Sequence, residues 1–243
     1  MSNPNLKENK LKRFFGVMLR KPIKAISPTL YVKLQYRYIT HHKLHLSPPV
    51  RYTEKLQYLR LFVYPKWKEV SSCAGRATVR SYVAEKGYGD ALIPCLGVYD
   101  SFQDIPWEEM PPRFVLKCTH ASGWNLLVRD KSKVDRKEEE KRFASWLHRD
   151  YGKETMERHY SPIKPQIIAE EWIGDPDHLP VEYKIHVYNG KAKNLYVVTG
   201  RGEDIRYTEL TIDWESFDGS QFNGWKKADV CPEKPKNWEE MVK

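Results

Sequence analysis

Two lysines, with the small and acidic residues near them, are the side chains best placed to do chemistry in this sequence. Lys117 ends the apolar run Phe114-Val115-Leu116, and a polar turn follows, Thr119-His120-Ala121-Ser122-Gly123, closed by Trp124 and Asn125. An ammonium at the junction of strand and loop can sit over whatever the loop cradles. Ser122 and Gly123 carry little bulk, so their backbone N–H groups can approach an anion closely. From this stretch alone two readings stay open: an anion-covering hairpin, and a polar hairpin with a surface lysine. Lys184 stands two residues after Glu182 in an alternating stretch, and Glu170-Glu171 end a run of strand formers just before Trp172-Ile173. His41, His42 and His45 cluster without a carboxylate or thiol close in sequence, which fits a polar helix end better than a metal site. The four cysteines (Cys73, Cys95, Cys118, Cys231) are widely spaced and match no metal pattern, so reduced thiols are expected.

The elements that must position these residues can be read from periodicity and punctuation. Leu30 to Ile39 predicts one short helix. Thr53 to Leu61 has helical spacing, and Ser71 or Ser72 is expected to cap a second helix running to about Glu85. Leu92 to Tyr99 reads as a buried strand, followed by a helical turn from Asp100. Phe114–Lys117 and Leu126–Val128 form the hairpin that holds the Ser122-Gly123 loop. Asp135 caps a helix whose inward side is Phe143, Trp146 and Leu147, and residues 151–165 read as irregular. Strands follow at Gln166–Ile173, Glu182–Tyr188, Lys193–Thr199 and Tyr207–Trp214, with Asn189-Gly190 as a two-residue hairpin turn. Helices first, then strands around one helix, predict an α+β fold. The expected division is a basic extension over 1–50, a helical part over 51–112, and 113–243 for the strand-rich remainder.

Length and composition bound the rest. A chain of 243 residues with 40% hydrophobic, 30% charged and 13% aromatic residues can bury a core. It has no apolar run of about 18 residues to span a membrane, and no apolar core followed by a small-residue cleavage site at its start. A cytoplasmic location is expected, with peripheral contact at the inner membrane face as an option. The net charge of +9 invites an anionic partner. Residues 7–24 carry seven Lys/Arg against one acid, with Phe14, Phe15, Val17, Met18 and Leu19 among them. That segment reads as a basic amphipathic helix for an anionic membrane, an ordinary packed helix, or a frayed terminus. No zinc-finger spacing or RNA-recognition aromatic motif accompanies the charge, so no nucleic-acid partner is expected.

Five segments, taken in order, resemble a known family: TEKLQYLRL (53–61), VRSYVAEKGYGDALIPCLGVYDSF (79–102), PPRFVLKCTHASGWNLLVRDKSKVD (111–135), KPQIIAEEWI (164–173) and EYKIHVYNGKAK (182–193). They are similar to the TupA-like ATP-grasp proteins, a bacterial cell-envelope family of polysaccharide biosynthesis typified by the teichuronopeptide synthesis protein. The resemblance runs from about Arg51 to the end of the chain. It implies an ATP-grasp-like fold, antiparallel sheets with flanking helices, preceded here by the helical N-terminal segment, with ATP held between two α+β subdomains. It also implies a site. Lys117 would reach the ATP phosphates, Ser122 and Gly123 would lie in the phosphate loop, and Glu170, Glu171, Trp172 and Ile173 would form the segment that meets adenine and ribose. Lys184 would act near the γ-phosphate as the catalytic basic residue. The chemistry is coherent: a triphosphate needs fixed cations, and adenine needs an apolar slot beside a backbone donor and acceptor.

Two departures from the family pattern stand out. Family catalysis uses Mg2+ held by carboxylates on late strands, and neither of the family's motifs for those ligands is present. Glu209 and Asp213 do not match them in position, and no metal ligand is assigned. The sequence ends at Lys243 where those strands are expected to follow, so a truncated product, a form that binds without catalysing, or a partner that completes the site is expected. Cys73-Ala74-Gly75-Arg76 stands where an Asp-Lys pair is expected, with Arg76 as the replacement for that lysine's charge. The expected function is that of an ATP-grasp-type ligase or transferase, which activates a carboxylate for ligation to an amine on a carboxylate- or glycan-containing acceptor. The alternatives are a non-catalytic nucleotide- or anionic-glycan-binding module at the membrane surface, and a glycosyltransferase of the same pathway.

Overall fold

The structure is a computed structural model describing residues 22–175, 177–216 and 226–243. Residues 7–21 of the basic segment lie outside the described residues. The chain divides into two compact units, Met1–Glu171 and Trp172–Lys243.

The first unit opens with α1 (Pro28–Thr40). Ser27 caps it by accepting the Leu30 N–H, Pro28 starts it, and His41 ends it in the left-handed conformation at φ 58°. Its inner side, Val32 and Tyr36, packs with Leu44 and Met156, and the Tyr36 hydroxyl lies 2.8 Å from Thr53 Oγ1. Next comes α2 (Tyr52–Tyr58), whose periodicity runs on through a wider turn, Leu59–Val63. The buried Glu54 carboxylate fixes its start by accepting the backbone N–H groups of Arg51, Val50 and His45, at 2.9, 3.0 and 3.1 Å. Those bonds, led by the one from Arg51, hold its pKa below the ordinary glutamate value. The single helix expected up to Glu85 is instead two, α3 (Lys68–Ala74) and α4 (Thr78–Glu85), broken at Gly75. Gly75 is extended there (φ −75°, ψ 123°), and a Cβ on it would meet Thr78 Oγ1 at 2.4 Å.

The first sheet has the order β1-β4-β2-β3, all antiparallel: β1 (Cys95–Tyr99), β2 (Phe114–Cys118), β3 (Asn125–Val128) and β4 (Ile167–Glu171). Its β1 is shorter than expected and not buried, since Cys95 and Val98 are exposed. Alternation along β2 and β4 sorts the side chains. Phe114, Leu116, Cys118, Ile167 and Ala169 enter one core, with Phe143 of α5 (Arg136–Leu147) and the partly buried Trp146 and Leu147 against it. Each large apolar side chain buried there contributes about 1.5–3 kcal/mol. Asp135 caps α5 by accepting from the N–H groups of Lys137 and Glu138. Lys131 holds the preceding loop: its ammonium donates to the carbonyls of Met110, Glu108 and Trp107, at 2.6, 2.9 and 3.3 Å. The stretch expected to be irregular contains α6 (Tyr151–Thr155), capped by Asp150, and a short turn of helix at Arg158–Tyr160.

The second unit is built on a sheet of order β5-β6-β7-β8: β5 (Glu182–Tyr188), β6 (Lys191–Thr199), β7 (Arg206–Thr211) and β8 (Lys226–Lys227). Among the described residues only the β7–β8 pairing is parallel. Asn189 and Gly190 turn the β5–β6 hairpin with φ of 50° and 74°, the pair of left-handed residues that a two-residue turn of this hand requires. The strand expected to reach Trp214 stops at Thr211, and Trp214 has φ 71°. One face of the sheet, Leu195, Val197 and Leu210, packs on Trp238 of α7 (Trp238–Met241), whose indole N–H donates to the Ile212 carbonyl at 3.0 Å.

Candidate nucleotide site

In the first unit the face of the sheet opposite the core carries charged side chains. Val115 and Lys117 point there from β2, and Ile168 and Glu170 from β4, with Val115 opposite Glu170 and Lys117 opposite Ile168. Lys117 Nζ donates to Glu170 Oε2 at 2.5 Å, and Arg80 Nη1 from α4 lies 3.5 Å from Oε1. The Glu170 side chain is only 10% exposed. A carboxylate that far from water needs charge partners, and here it has two. Glu171 lies at the strand's end, exposed, with its N–H donated to the Pro94 carbonyl at 3.1 Å. Changing Glu170 to Gln leaves Lys117 and Arg80 without their shared anion. The expected result is a loss of about 3 kcal/mol of stability, read from denaturant midpoints; an unchanged midpoint would show that the ion pairs contribute nothing.

The β2–β3 loop is anchored at its root and open at its tip. Thr119 Oγ1 donates to the Lys164 carbonyl at 2.7 Å and accepts the Gln166 N–H at 2.9 Å. Thr119, His120 and Ala121 are buried. Ser122 and Gly123 are exposed, Gly123 has φ +79°, and no atom stands within 4 Å of where its Cβ would be. Arg76 is brought to this loop. Its N–H donates to the Thr119 carbonyl at 3.1 Å and its Nε to the Ala121 carbonyl at 3.2 Å. The Tyr151 hydroxyl bonds the Ser122 side chain, and burial pushes the Tyr151 phenol up. Cys118, buried beneath the loop, has its thiol pushed up by burial to about 12, which leaves it inert as a nucleophile at neutral pH.

His120 is a packing residue. Its ring lies 5.5 Å from that of Trp124, with Nε2 3.3 Å from the Trp146 carbonyl oxygen. Burial holds His120, and likewise His159, below the ordinary value of 6.5. Both therefore bind fewer protons folded than unfolded. Their contribution to stability is complete above the unfolded value and is lost as pH falls through the lowered folded ones. The melting temperature should fall between about pH 7.5 and about pH 5.5, and less so in the His120→Gln/His159→Gln double variant. A fall of equal size in both proteins would assign it elsewhere.

In the second unit the sheet face opposite Trp238 gathers polar groups. Lys184 pairs across the strands with Tyr196, and Tyr196 with Glu209. Lys184 Nζ lies 2.8 Å from Glu182 Oε2 on its own strand. Arg201 grips the same carboxylate, with Nη2 at 3.1 Å from Oε2. Burial pushes the Glu182 carboxyl up, and hydrogen bonds from Arg201 and Lys184 more than offset it, so its pKa lies below the ordinary glutamate value. Glu209 is 7% exposed and accepts the Tyr196 hydroxyl at 3.0 Å. Glu209, set aside in the sequence because it does not match the family's metal-ligand positions, is brought by the strand register to the same face as Lys184.

The expected site residues thus fall into two sets. Lys117, Ser122, Gly123, Glu170 and Glu171 belong to the first unit, with Lys117 and Glu170 in contact. Trp172, Ile173 and Lys184 belong to the second. The Trp172 indole N–H donates to the Asp175 carbonyl at 3.2 Å, and Ile173 is 44% exposed. Glu170 and Glu171 lie on β4 of the first sheet and Lys184 on β5 of the second. Asp175-Pro176-Asp177 has the Asp-x-Asp spacing of a nucleotide-sugar metal site, a feature missed in the sequence. Asp175 Oδ1 accepts the N–H groups of Asp177 and His178 at 2.7 and 3.2 Å, so it caps a turn. Among the described residues no three His, Cys, Asp or Glu side chains are grouped to hold a metal ion. The described residues therefore offer no carboxylate cluster to hold Mg2+.

The two mostly antiparallel four-stranded sheets with flanking helices make an α+β fold of the ATP-grasp-like class. The chain belongs to the TupA-like ATPgrasp family, whose model matches residues 54–243. Comparison with curated proteins and with solved structures returned no match.

Proposed function

We propose that the chain binds ATP and uses it to activate a carboxylate for ligation to an amine in the assembly of a cell-surface polysaccharide. The observation that carries this reading is Lys117, on the face of the first sheet opposite its core, leading into a loop with an exposed Ser122-Gly123 tip and with Arg76 tied to its root. Lys117 and Arg76 supply fixed charge for the phosphates, and the tip supplies close backbone N–H groups. Glu171, Trp172 and Ile173 are the residues assigned to ribose and adenine, and Lys184 to the γ-phosphate. In such a reaction an acceptor carboxylate oxygen attacks the γ-phosphorus, ADP leaves, and an amine then displaces phosphate from the acyl phosphate. Transfer of this kind depends mainly on positioning and charge stabilisation, and that is the role assigned to Lys184. The acceptor is a carboxylate-bearing sugar or peptide, and the setting is the cytoplasmic side of the envelope.

ADP release with ATP, magnesium and a panel of uronic and amino acids tests it. Acceptor-dependent ADP is expected. Both lysines are paired with glutamates, Lys117 with Glu170 and Lys184 with Glu182, and this favours a second reading, a module that binds the nucleotide without turnover. Stabilisation by ATP with no ADP above background selects that module; neither effect rejects both readings.

A further inference from the structure

The outer side of α1 presents an apolar stripe that the core does not use. Leu30, Leu34 and Tyr38 recur every four residues and are 47, 48 and 80% exposed, and Ile26, just ahead of the helix, is 85% exposed. Spacing of four keeps them on one face of the helix. The opposite face is the docked one: Val32 and Tyr36 are 1 and 6% exposed and sit in the cluster with Leu44 and Met156. Lys33 and Arg37 lie along one edge of the stripe. A helix held by its inner face and apolar on its outer face presents that stripe at a fixed position on the first unit.

Charge tells what the stripe meets. Residues 1–53 hold 11 Lys/Arg and one acid, Glu8, of the 41 and 32 in the whole chain, which leaves 30 and 31 for residues 54–243. The family-matched region is therefore almost neutral, and the entire positive excess belongs to the part outside it. No acid occurs from Asn9 to Thr53. A nucleic acid or an anionic glycan would use the cations but gain nothing from exposed leucines. A soluble apolar partner would use the leucines but gain nothing from the charge. An anionic lipid surface uses both, since aliphatic side chains enter the acyl boundary while Lys and Arg stay with the headgroups.

We propose that α1 is a membrane-docking helix, with Ile26, Leu30, Leu34 and Tyr38 entering the interface of an anionic bilayer and Lys33 and Arg37 contacting its headgroups. Docking is independent of the nucleotide and does not rest on the function proposed above. Lys24 donates to the Glu154 carbonyl, which ties the start of this region to the first unit.

The test is co-sedimentation of the full chain with vesicles of phosphatidylcholine, with and without phosphatidylglycerol. Wild-type protein should bind the anionic vesicles and not the neutral ones. Leu30→Asp/Leu34→Asp should weaken binding by at least about tenfold, and Lys33→Glu/Arg37→Glu by about fivefold per charge. Melting temperatures should be unchanged, because all four side chains lie outside the core. Binding that survives the leucine pair, binding equal on both vesicles, or no binding at all overturns the proposal. So does a dimer in size-exclusion chromatography that the leucine pair dissolves, which would make a second copy the occupant.

Discussion

Lys117→Ala is expected to abolish the thermal stabilisation that ATP gives the wild-type chain. A ligand that binds only the folded state, present at about 100 times its dissociation constant, adds about 2.7 kcal/mol. For a chain of this size that corresponds to a rise of roughly 5–10 °C. Lys117 is the cation at the entry to the loop, so its loss removes the charge against which the phosphates would be held. The substitution also releases Glu170 from one of its two partners, leaving Arg80 at 3.5 Å, and this lowers the melting temperature without nucleotide. The observable is therefore the difference between scans with and without ATP, measured on each protein separately. A difference in the alanine variant equal to that of the wild type would place the nucleotide elsewhere. Ser122→Trp, which crowds the exposed tip without touching Lys117, should reduce the same difference with little change in the scan without ATP.

Lys184→Ala is expected to reduce acceptor-dependent ADP release by about a hundredfold to a thousandfold, the usual cost of removing one preorganised charge from a reacting phosphate. ATP-dependent stabilisation should survive, because the first unit keeps Lys117 and Arg76. Glu182 would then be held by Arg201 alone, and the second sheet keeps its Trp238 core. Binding without turnover is thus the signature. Full ADP release by the variant would demote Lys184 to a partner of Glu182. Lys184→Arg separates charge from shape, since a guanidinium keeps the charge but not the compact three-donor geometry of an ammonium.

Much of the scaffold was legible in the sequence, because most of it follows from period-two alternation and turn chemistry. Phe114 to Cys118 and Glu182 to Tyr188 declare their strands, and Asn189-Gly190 declares the turn between β5 and β6. The Asp135 cap was readable for the same reason, being a local bond between a side chain and the backbone one turn ahead. The failures have non-local causes. Gly75 breaks a helix that reads as continuous, at a point where a Cβ would run into Thr78 and Ile163. Residues 151–155 become helical through a cap from Asp150, which a window dominated by charged and polar residues obscures. The site was partly readable. Lys117 and the small-residue loop stand out by type and place, whereas the grip of Lys117 and Arg80 on Glu170 joins elements 53 and 90 residues apart in sequence. Arg76, named only as a stand-in for a missing lysine, is tied to the Ala121 carbonyl by a bond that no local pattern announces.

The resident carboxylate beside Lys117 makes any binding there an exchange of one anion for another. Glu170 is tethered to the same sheet, so its local concentration around the ammonium far exceeds that of a dissolved ion. Chloride, acetate or a lone phosphate engages the lysine at one point and has no means to prevail. On the proposed reading a polyphosphate would engage Lys117, Arg76 and the loop tip together, and such a multidentate anion could displace the glutamate where a single-point anion could not. Arg80 meanwhile keeps the displaced carboxylate from being stranded. On that reading the ion pair would work as a threshold, set against small anions before any fit to base or ribose is tested.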